Sequence, residues 1–98
     1  MRRRIVVRPR VKAEIRRARD AYRDVSPQLG GRFRDAIRER LARIAERPEM
    51  YPIVHGEVRR MITSDFPYSV FYSIEPFEIL ILRVIHHAQD PADWPTVA

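Results

Sequence analysis

The sequence predicts a small α+β domain with the element order β-α-α-β-β-β, formed by the whole chain from residue 1 to residue 98. Two observations support this fold class. The C-terminal third, from Arg59 to Trp94, contains strand-like apolar runs with very short connections. The segment before it contains two apolar stripes at helical spacing, separated by one short break. A helical hairpin packed on one face of an antiparallel β-sheet is therefore expected.

The first predicted elements are a strand and a helix. A β-branched run at 5–8 predicts the strand, which ends at Pro9. From residue 10 to about residue 24, apolar residues recur three or four positions apart, as along one side of an α-helix. These residues are Val11, Ile15, Ala18 and Tyr22. On the opposite, solvent-facing side, Glu14 and Arg17 are spaced as an i,i+3 ion pair.

The second helix is predicted to begin after Ser26, a suitable N-cap, with Pro27 at its first position, and to end near Glu46. Its apolar stripe consists of Leu29, Phe33, Ile37, Leu41 and Ile44. Gly30 and Gly31 lie near its start, where small residues either let the two helices approach closely or weaken the first turn. The sequence leaves these two alternatives open.

Three strands follow, predicted at 58–63, 68–74 and 78–86 and joined by connections short enough for antiparallel hairpins. The last of them, EILILRVIH, is apolar at nearly every position, so it is expected to be central in the sheet or covered on both faces. Because the helices cover one face of the sheet, a functional surface is expected on the opposite face.

The composition favours an acidic partner. Lys and Arg together number 19 against 13 Asp and Glu, and all but Lys12 of the basic residues are arginines. Such a balance suits nucleic acid, an acidic protein surface or a membrane surface. The chain has no cysteine, which excludes disulfides and thiolate chemistry and fits a reducing compartment. No apolar run is long enough for a membrane span or a signal peptide, so a cytoplasmic protein is expected.

The sequence contains no recognisable cofactor or metal motif. It has no glycine-rich phosphate loop, and no cofactor is expected. His86 and His87 are adjacent, so on a strand they point to opposite faces and cannot hold one metal ion together, while His55 is remote in sequence. These two histidines either contact phosphate and move protons or simply end the strand. His87 is the one candidate for a catalytic residue.

Basic and aromatic side chains on the predicted strands are candidates for binding. Arg59, Arg60 and Arg83 either form a basic concave patch or, in the case of Arg83, pair with a carboxylate of the chain. The carboxylates considered for Arg83 are Glu57, Asp65 and Asp90. Tyr68, Tyr72 and Trp94 either stack on the bases of single-stranded RNA or pack against the sheet.

The same segment resembles the ParE branch of the ParE/RelE toxin superfamily. The residues that carry the resemblance are Arg59-Arg60, Phe66-Pro67-Tyr68, Val70-Phe71-Tyr72, Ile79–Val84, His86, Asp90-Pro91 and Trp94. The resemblance implies a toxin that is neutralised by a small cognate antitoxin, in a toxin–antitoxin hetero-oligomer. The residues expected to bind the target or the antitoxin are Arg59, Arg60, Tyr68, Arg83, His86, His87 and Trp94.

The two branches of the superfamily differ in target. ParE-like members act on DNA gyrase, whereas RelE-like members cleave mRNA in the ribosome. The arginine positions of the RelE pattern fall on or next to Tyr68 and near Ala88 here, and its tail Tyr position falls on Trp94. The missing cations favour a gyrase inhibitor that is not an enzyme, with a ribosome-dependent mRNA interferase as the alternative and a nucleic-acid-binding module as a third hypothesis.

One position departs from the family pattern. Relatives commonly carry an arginine just before the Asp-Pro pair, where this chain has Gln89. The resemblance therefore leaves open whether this copy is toxic, together with its target, its antitoxin and its oligomeric state.

Overall fold

The computed structural model describes residues 3–63 and 65–89, and it confirms the α+β fold class and the predicted order of elements. One short strand is added between the helices and the three predicted strands. The elements are β1 (Arg4–Val7), α1 (Pro9–Val25), α2 (Pro27–Glu46), a 3₁₀ turn (Pro48–Met50), β2 (Ile53–His55), β3 (Val58–Ile62), β4 (Tyr68–Ile74) and β5 (Glu78–His86). The last two strands have the predicted bounds.

The five strands form one sheet in the order β1-β5-β4-β3-β2. Neighbours from β2 to β5 are antiparallel, but β1 pairs with β5 in parallel, with Arg4 opposite Glu78 and Val7 opposite Ile81. The sheet is therefore mixed, whereas the sequence predicted an antiparallel sheet. This pairing joins the first strand to the last, and the apolar strand β5 lies inside the sheet as predicted.

The edge of β5 is left open beyond β1. β1 pairs only with residues 78–81, so the described part of the chain provides no strand beside residues 82–86 on that side. The register between β4 and β5 also shifts here, because Phe71 lies opposite Arg83 while Tyr72 lies opposite Ile81. The extra residue, Leu82, forms a bulge of the kind that bends a strand and redirects its side chains.

The two helices cover one face of the sheet and form the main core with it. The predicted stripes of both helices face this core, and the side chains that fill it are fully or nearly buried. From the helices come Val11, Ala18, Phe33, Ile37 and Ile44, and from the sheet Met61, Val70, Tyr72, Ile79, Ile81 and Val84. The phenol of Tyr72 donates a hydrogen bond to the carbonyl oxygen of Pro48 over 2.6 Å, which ties the 3₁₀ turn after α2 to the sheet.

The opposite face of the sheet carries a second apolar cluster. Val58, Phe71, Leu82 and Ile85 are each at most 7% exposed and pack with Val54 and Leu80. Side chains alternate along β4, since Val70 and Tyr72 face the helices and Phe71 faces away from them. The face that was expected to carry function is therefore largely apolar.

The glycine pair at the start of α2 has two different environments. A Cβ atom at Gly30 would lie 2.8 Å from the Cβ atom of Arg23 and 3.1 Å from the carbonyl oxygen of Arg19, both on α1. A Cβ atom at Gly31 would meet no atom within 4 Å. Gly30 thus permits the close approach of the two helices. This confirms, for Gly30, the first of the two alternatives that the sequence left open. Ser26 is the N-cap residue of α2, although its side chain makes no capping hydrogen bond.

Candidate functional site

A buried ion pair joins α1 to the open edge of β5. The Nε atom of Arg83 lies 2.7 Å from Oε2 of Glu14, and the backbone N–H of Val84 donates to Oε1 of Glu14 over 3.0 Å. The side chains of Arg83 and Glu14 are 17% and 7% exposed. One carboxylate therefore neutralises the arginine and also satisfies a strand N–H that no neighbouring described strand reaches.

This ion pair corrects one prediction and decides between two others. Glu14 was expected on the solvent side of α1 beside Arg17, and that prediction was wrong because α1 crosses β5 just where β1 has ended. For Arg83, the ion-pair alternative holds, but the partner is Glu14 rather than Glu57 or Asp65. Asp90, the third carboxylate considered, lies outside the described residues.

An open cavity of about 340 Å³ lies beside the ion pair, between α1 and the end of β5. Small residues of α1, Ala18 and Ala21, make room for it. Its polar lining consists of Glu14, Arg17, Tyr68, Arg83 and Gln89. Two of the predicted binding residues, Tyr68 and Arg83, therefore meet here, and so does the glutamine that stands where relatives commonly carry an arginine.

The two histidines fasten the chain after β5 to the start of β4. The ring of His86 contacts the ring of Tyr68 at a centroid distance of 5.6 Å, and its Nδ1 atom accepts a hydrogen bond from the backbone N–H of Ala88. The Nε2 atom of His87 lies 2.8 Å from the carbonyl oxygen of Tyr68, and its backbone N–H donates to the carbonyl oxygen of Pro67. Both rings thus stabilise a turn, and His87 remains exposed beside it.

Tyr68 belongs to an aromatic cluster under the helices. Its ring meets Phe33 at a centroid distance of 5.1 Å and Tyr22 at 6.3 Å, and Phe66 completes the cluster. Burial raises the pKa of the Tyr68 phenol, and the nearby phenol of Tyr22 raises it further. Tyr68 therefore stays neutral at physiological pH, and it is one of the residues that line the cavity. Its ring and that of Tyr72 pack within the fold, as the packing alternative predicted, whereas Trp94 lies outside the described residues.

Arg59 and Arg60 do not join this site. The guanidinium of Arg59 donates to the carbonyl oxygens of Glu49 and Tyr51 over 3.1 and 2.6 Å, and so holds the 3₁₀ turn and its exit against β3. Arg60 lies opposite Phe71 on the other face of the sheet, and its buried Nε atom has no hydrogen-bond partner in residues 3–63 and 65–89. The basic concave patch, one of the two alternatives for Arg59, Arg60 and Arg83, is therefore not formed. Arg59 and Arg60 are adjacent on a strand and point to opposite faces, and Arg83 is paired with Glu14.

The side chains that line the cavity can bind a polar or anionic group, but part of their positive charge is neutralised. Arg83 is paired with Glu14. Arg17, the other cation that lines the cavity, forms no ion pair within the described residues. No group of three potential metal ligands occurs in that same part of the chain. None of the described helices is long and apolar enough to cross a membrane. The site thus offers a cation, a neutral phenol and an amide to a ligand.

Known proteins resemble this chain in sequence and in fold. The profile of the family described as the ParE toxin of type II toxin–antitoxin (TA) systems, parDE, matches residues 5–91. A chain from the chromosomal ParDE TA system of P. aeruginosa shares the fold with a TM-score of 0.77 and 18% sequence identity, over 86% of this chain and 95% of that chain. A search among curated protein sequences gave no match.

The family match spans nearly all of the described residues, including β1, both helices and the strands that line the cavity. The shared fold agrees with it. The chain therefore belongs to the family of ParE toxins of type II toxin–antitoxin systems.

Proposed function

We propose that this chain inhibits DNA gyrase by binding to it, without catalysing a reaction, and that a cognate antitoxin neutralises it. Membership of the ParE family supports the gyrase target. The observation that supports binding rather than catalysis is the pairing of Arg83 with the buried carboxylate of Glu14, which removes a cation from the cavity. Phosphodiester cleavage needs cations free to stabilise the charge that develops on the phosphate.

The proposed contact residues are those that the family resemblance indicated. Tyr68, Arg83, His86 and His87 lie around the cavity and the adjoining turn, and Trp94 belongs to the proposal although it lies outside the described residues. Arg59 and Arg60 are retained as contacts for the antitoxin or the target. The whole chain acts as one domain in this proposal, and it acts in the cytoplasm, where gyrase meets DNA.

A supercoiling assay tests the gyrase target. Purified gyrase, relaxed plasmid and ATP are incubated with increasing amounts of the chain, and the topoisomers are separated on a gel. We expect loss of supercoiling and accumulation of cleaved DNA. The variant Glu39→Gln, on the exposed side of α2, serves as a control that should inhibit like the parent chain. Normal supercoiling at a large excess of folded protein would refute the proposal.

The antitoxin is tested in cells. Expression of the chain alone should arrest growth, and coexpression of the protein encoded beside it should restore growth. The net charge of +6 supports an acidic neutralising partner, because opposite charges steer two proteins together. Normal growth with a soluble, folded chain would count against a toxin.

A ribosome-dependent mRNA interferase is the second candidate. It is favoured by one observation, that Arg17 and Tyr68 line the same cavity while His87 lies on the adjoining turn. Translating ribosomes with labelled mRNA are incubated with the chain and with His87→Ala. We expect intact mRNA in both cases. Cleavage that His87→Ala abolishes would establish the interferase and overturn the proposal of a binding protein.

A further inference from the structure

Cations form two rows on neighbouring sides of the two helices, apart from the cavity already described. Residues spaced three or four positions apart lie on one side of a helix. The row of α1 consists of Lys12, Arg16, Arg19 and Arg23, and the row of α2 consists of Arg34 and Arg38. A Cβ atom at Gly30 of α2 would lie 2.8 Å from the Cβ atom of Arg23, so the row of α1 lies on the side next to α2.

The rows meet around an open cleft of about 270 Å³, where the end of β1 approaches both helices. Its charged lining consists of Lys12, Arg16, Arg19 and Arg34. Among the described residues that line it there is no carboxylate, and the others are the aliphatic Val7 and Ile15. The cleft therefore presents positive charge of one sign to the solvent.

Three cations of the rows have no internal partner. Lys12, Arg16 and Arg38 are exposed, and none of them forms an ion pair with a carboxylate of residues 3–63 or 65–89. Like charges one helical turn apart repel each other. A ligand that brings negative charge relieves this repulsion and is attracted by the field of the whole patch.

The other three cations form ion pairs that a ligand can replace. Arg19 and Arg23 share the carboxylate of Asp20, and Arg34 pairs with Asp35. The two carboxylates are 45% and 67% exposed. Exposed pairs of this kind contribute little to stability, so they exchange readily for a partner with more negative charge.

The length of the α1 row matches a polyanion with closely spaced charges. The row extends from residue 12 to residue 23, which is about 16 Å along the helix axis. A DNA duplex carries one phosphate per about 1.7 Å of its axis, hence about ten phosphates over this length. All the cations of the row can then contact phosphates at once, whereas a small anion neutralises one or two of them.

The lining of the cleft favours a duplex over a single strand. No aromatic ring lies among its described lining residues. Surfaces that bind single strands combine cations with aromatic side chains on which the bases stack. In a duplex the bases already stack on one another, so contacts to the phosphate backbone are sufficient for binding.

We propose that the cation rows of α1 and α2 bind the phosphate backbone of double-stranded DNA without regard to its sequence, mainly through Lys12, Arg16 and Arg38. This activity goes beyond the proposed inhibition of gyrase and does not depend on it. It brings the chain to the polymer on which gyrase acts.

The salt dependence of DNA binding tests the rows directly. The probe is a fluorescein-labelled duplex of about 20 base pairs, and its anisotropy is measured with the full chain between about 50 and 200 mM NaCl. Each phosphate contact contributes about −0.9 to the slope of log K against log salt. We expect Lys12→Gln/Arg16→Gln to make the slope shallower by about 2 and to weaken binding about tenfold or more at 100 mM. Arg38→Gln alone should make it shallower by about 1.

The matched control is Arg32→Gln/Arg47→Gln. It removes the same charge from two exposed arginines of α2 that lie outside the rows and the cleft. It should change the slope by less than about 0.5 and the affinity no more than about twofold. Equal changes of slope in the two double variants, or no binding of the duplex at about 50 mM salt, would overturn the proposal.

Two other polyanions identify the ligand. Single-stranded RNA of the same length and polyglutamate of the same charge should each bind at least fivefold more weakly than the duplex. RNA that binds as tightly would replace the duplex by a single strand, and polyglutamate that binds as tightly would show an acidic protein surface to be the ligand. Either result would refute the assignment to DNA. These measurements contain no gyrase, so failure of DNA binding and failure of the proposed target are distinguishable.

Discussion

Glu14 and Arg83 lie 69 residues apart in the sequence and 2.7 Å apart in the fold. The carboxylate uses one oxygen for the guanidinium and the other for the backbone N–H of Val84. It therefore closes an edge of the sheet that would otherwise expose an unpaired strand N–H, and it fixes α1 across the end of β5. An open strand edge is a site of unwanted pairing between chains, and a side chain that covers it prevents this.

We expect Glu14→Ala to destabilise the fold by about 3 kcal/mol, because it leaves Arg83 largely buried without a partner and Val84 without an acceptor. Glu39→Ala is the control, since Glu39 forms an exposed i,i+4 pair with Arg43 and should cost about 0.5 kcal/mol or less. Urea unfolding followed by circular dichroism measures both. Similar midpoints for the two variants would show that the buried pair contributes nothing. The double variant Glu14→Leu/Arg83→Met should recover much of the loss.

The two neighbouring glycines of α2 should respond in opposite directions to the same change. Gly31→Ala is expected to stabilise the chain by about 0.5–1 kcal/mol, because alanine favours the helix and meets no atom. Gly30→Ala should destabilise it by about 1–3 kcal/mol, because its Cβ atom would lie 2.8 Å from that of Arg23 and force the helices apart. Thermal unfolding of both variants checks the pair. A gain in stability for Gly30→Ala would show that the contact between the helices gives way easily.

Alkaline pH should weaken the fold through its buried tyrosines. Burial raises the pKa of the Tyr72 phenol, which donates to the carbonyl oxygen of Pro48. Because the folded pKa lies above the unfolded value of about 10, this contribution is complete below pH 10 and is lost as the pH rises further. Tyr72→Phe should cost about 1 kcal/mol at pH 7 and show a shallower decline in stability above pH 10. Equal slopes in the parent chain and the variant would contradict this assignment.

Arg59 is expected to contribute to the stability of the fold, besides its proposed role as a contact. Arg59→Met removes two hydrogen bonds to the carbonyl oxygens of Glu49 and Tyr51 and should cost about 2 kcal/mol. Arg60→Met is the neighbouring control. It removes a buried Nε atom that has no partner in the described residues, so it should change the free energy of unfolding by about 0.5 kcal/mol at most, or increase it. Hydrogen exchange at residues 48–51 should accelerate in Arg59→Met alone.

Gln89→Arg should strengthen the interaction with the target. Gln89 lines the cavity beside Arg17 and Tyr68, and an arginine there adds a cation without removing the pair of Glu14 and Arg83. If the cavity meets an anionic surface of the target, half-maximal gyrase inhibition should occur at a concentration about five- to tenfold lower, in line with one charge-assisted hydrogen bond. An unchanged or higher concentration would show that the target does not contact this position.

The sequence predicts the helices and the last two strands because their signals are local. The apolar stripes through Val11 and Phe33 and the alternation around Phe71 are read within a few residues of each position. Strand β2 has no such signal. It is only three residues long, it is preceded by Pro52 and followed by Gly56, and its pairing with β3 is irregular.

The long-range features could not be predicted from the sequence in this way. The parallel pairing of β1 with β5 depends on where α1 and α2 return the chain, which no local pattern specifies. Glu14 has the spacing of an exposed helical residue. It is buried because β1 ends early and leaves the backbone N–H of Val84 for its carboxylate to accept. The candidate site combines residues of α1, β4 and β5. Single residues of it could be named from the sequence, but their proximity in space could not be predicted.

The position of β5 between β1 and β4 has a consequence during protein synthesis. β5, the second strand from one edge of the sheet, is made after the other described strands, and its partner β1 is made before them. A nascent chain that stops before residue 78 lacks the strand against which α1 packs and cannot form the cavity. The pair of Glu14 and Arg83 and the cavity beside it can therefore form only after β5 has been made, so a product truncated before residue 78 lacks the candidate site.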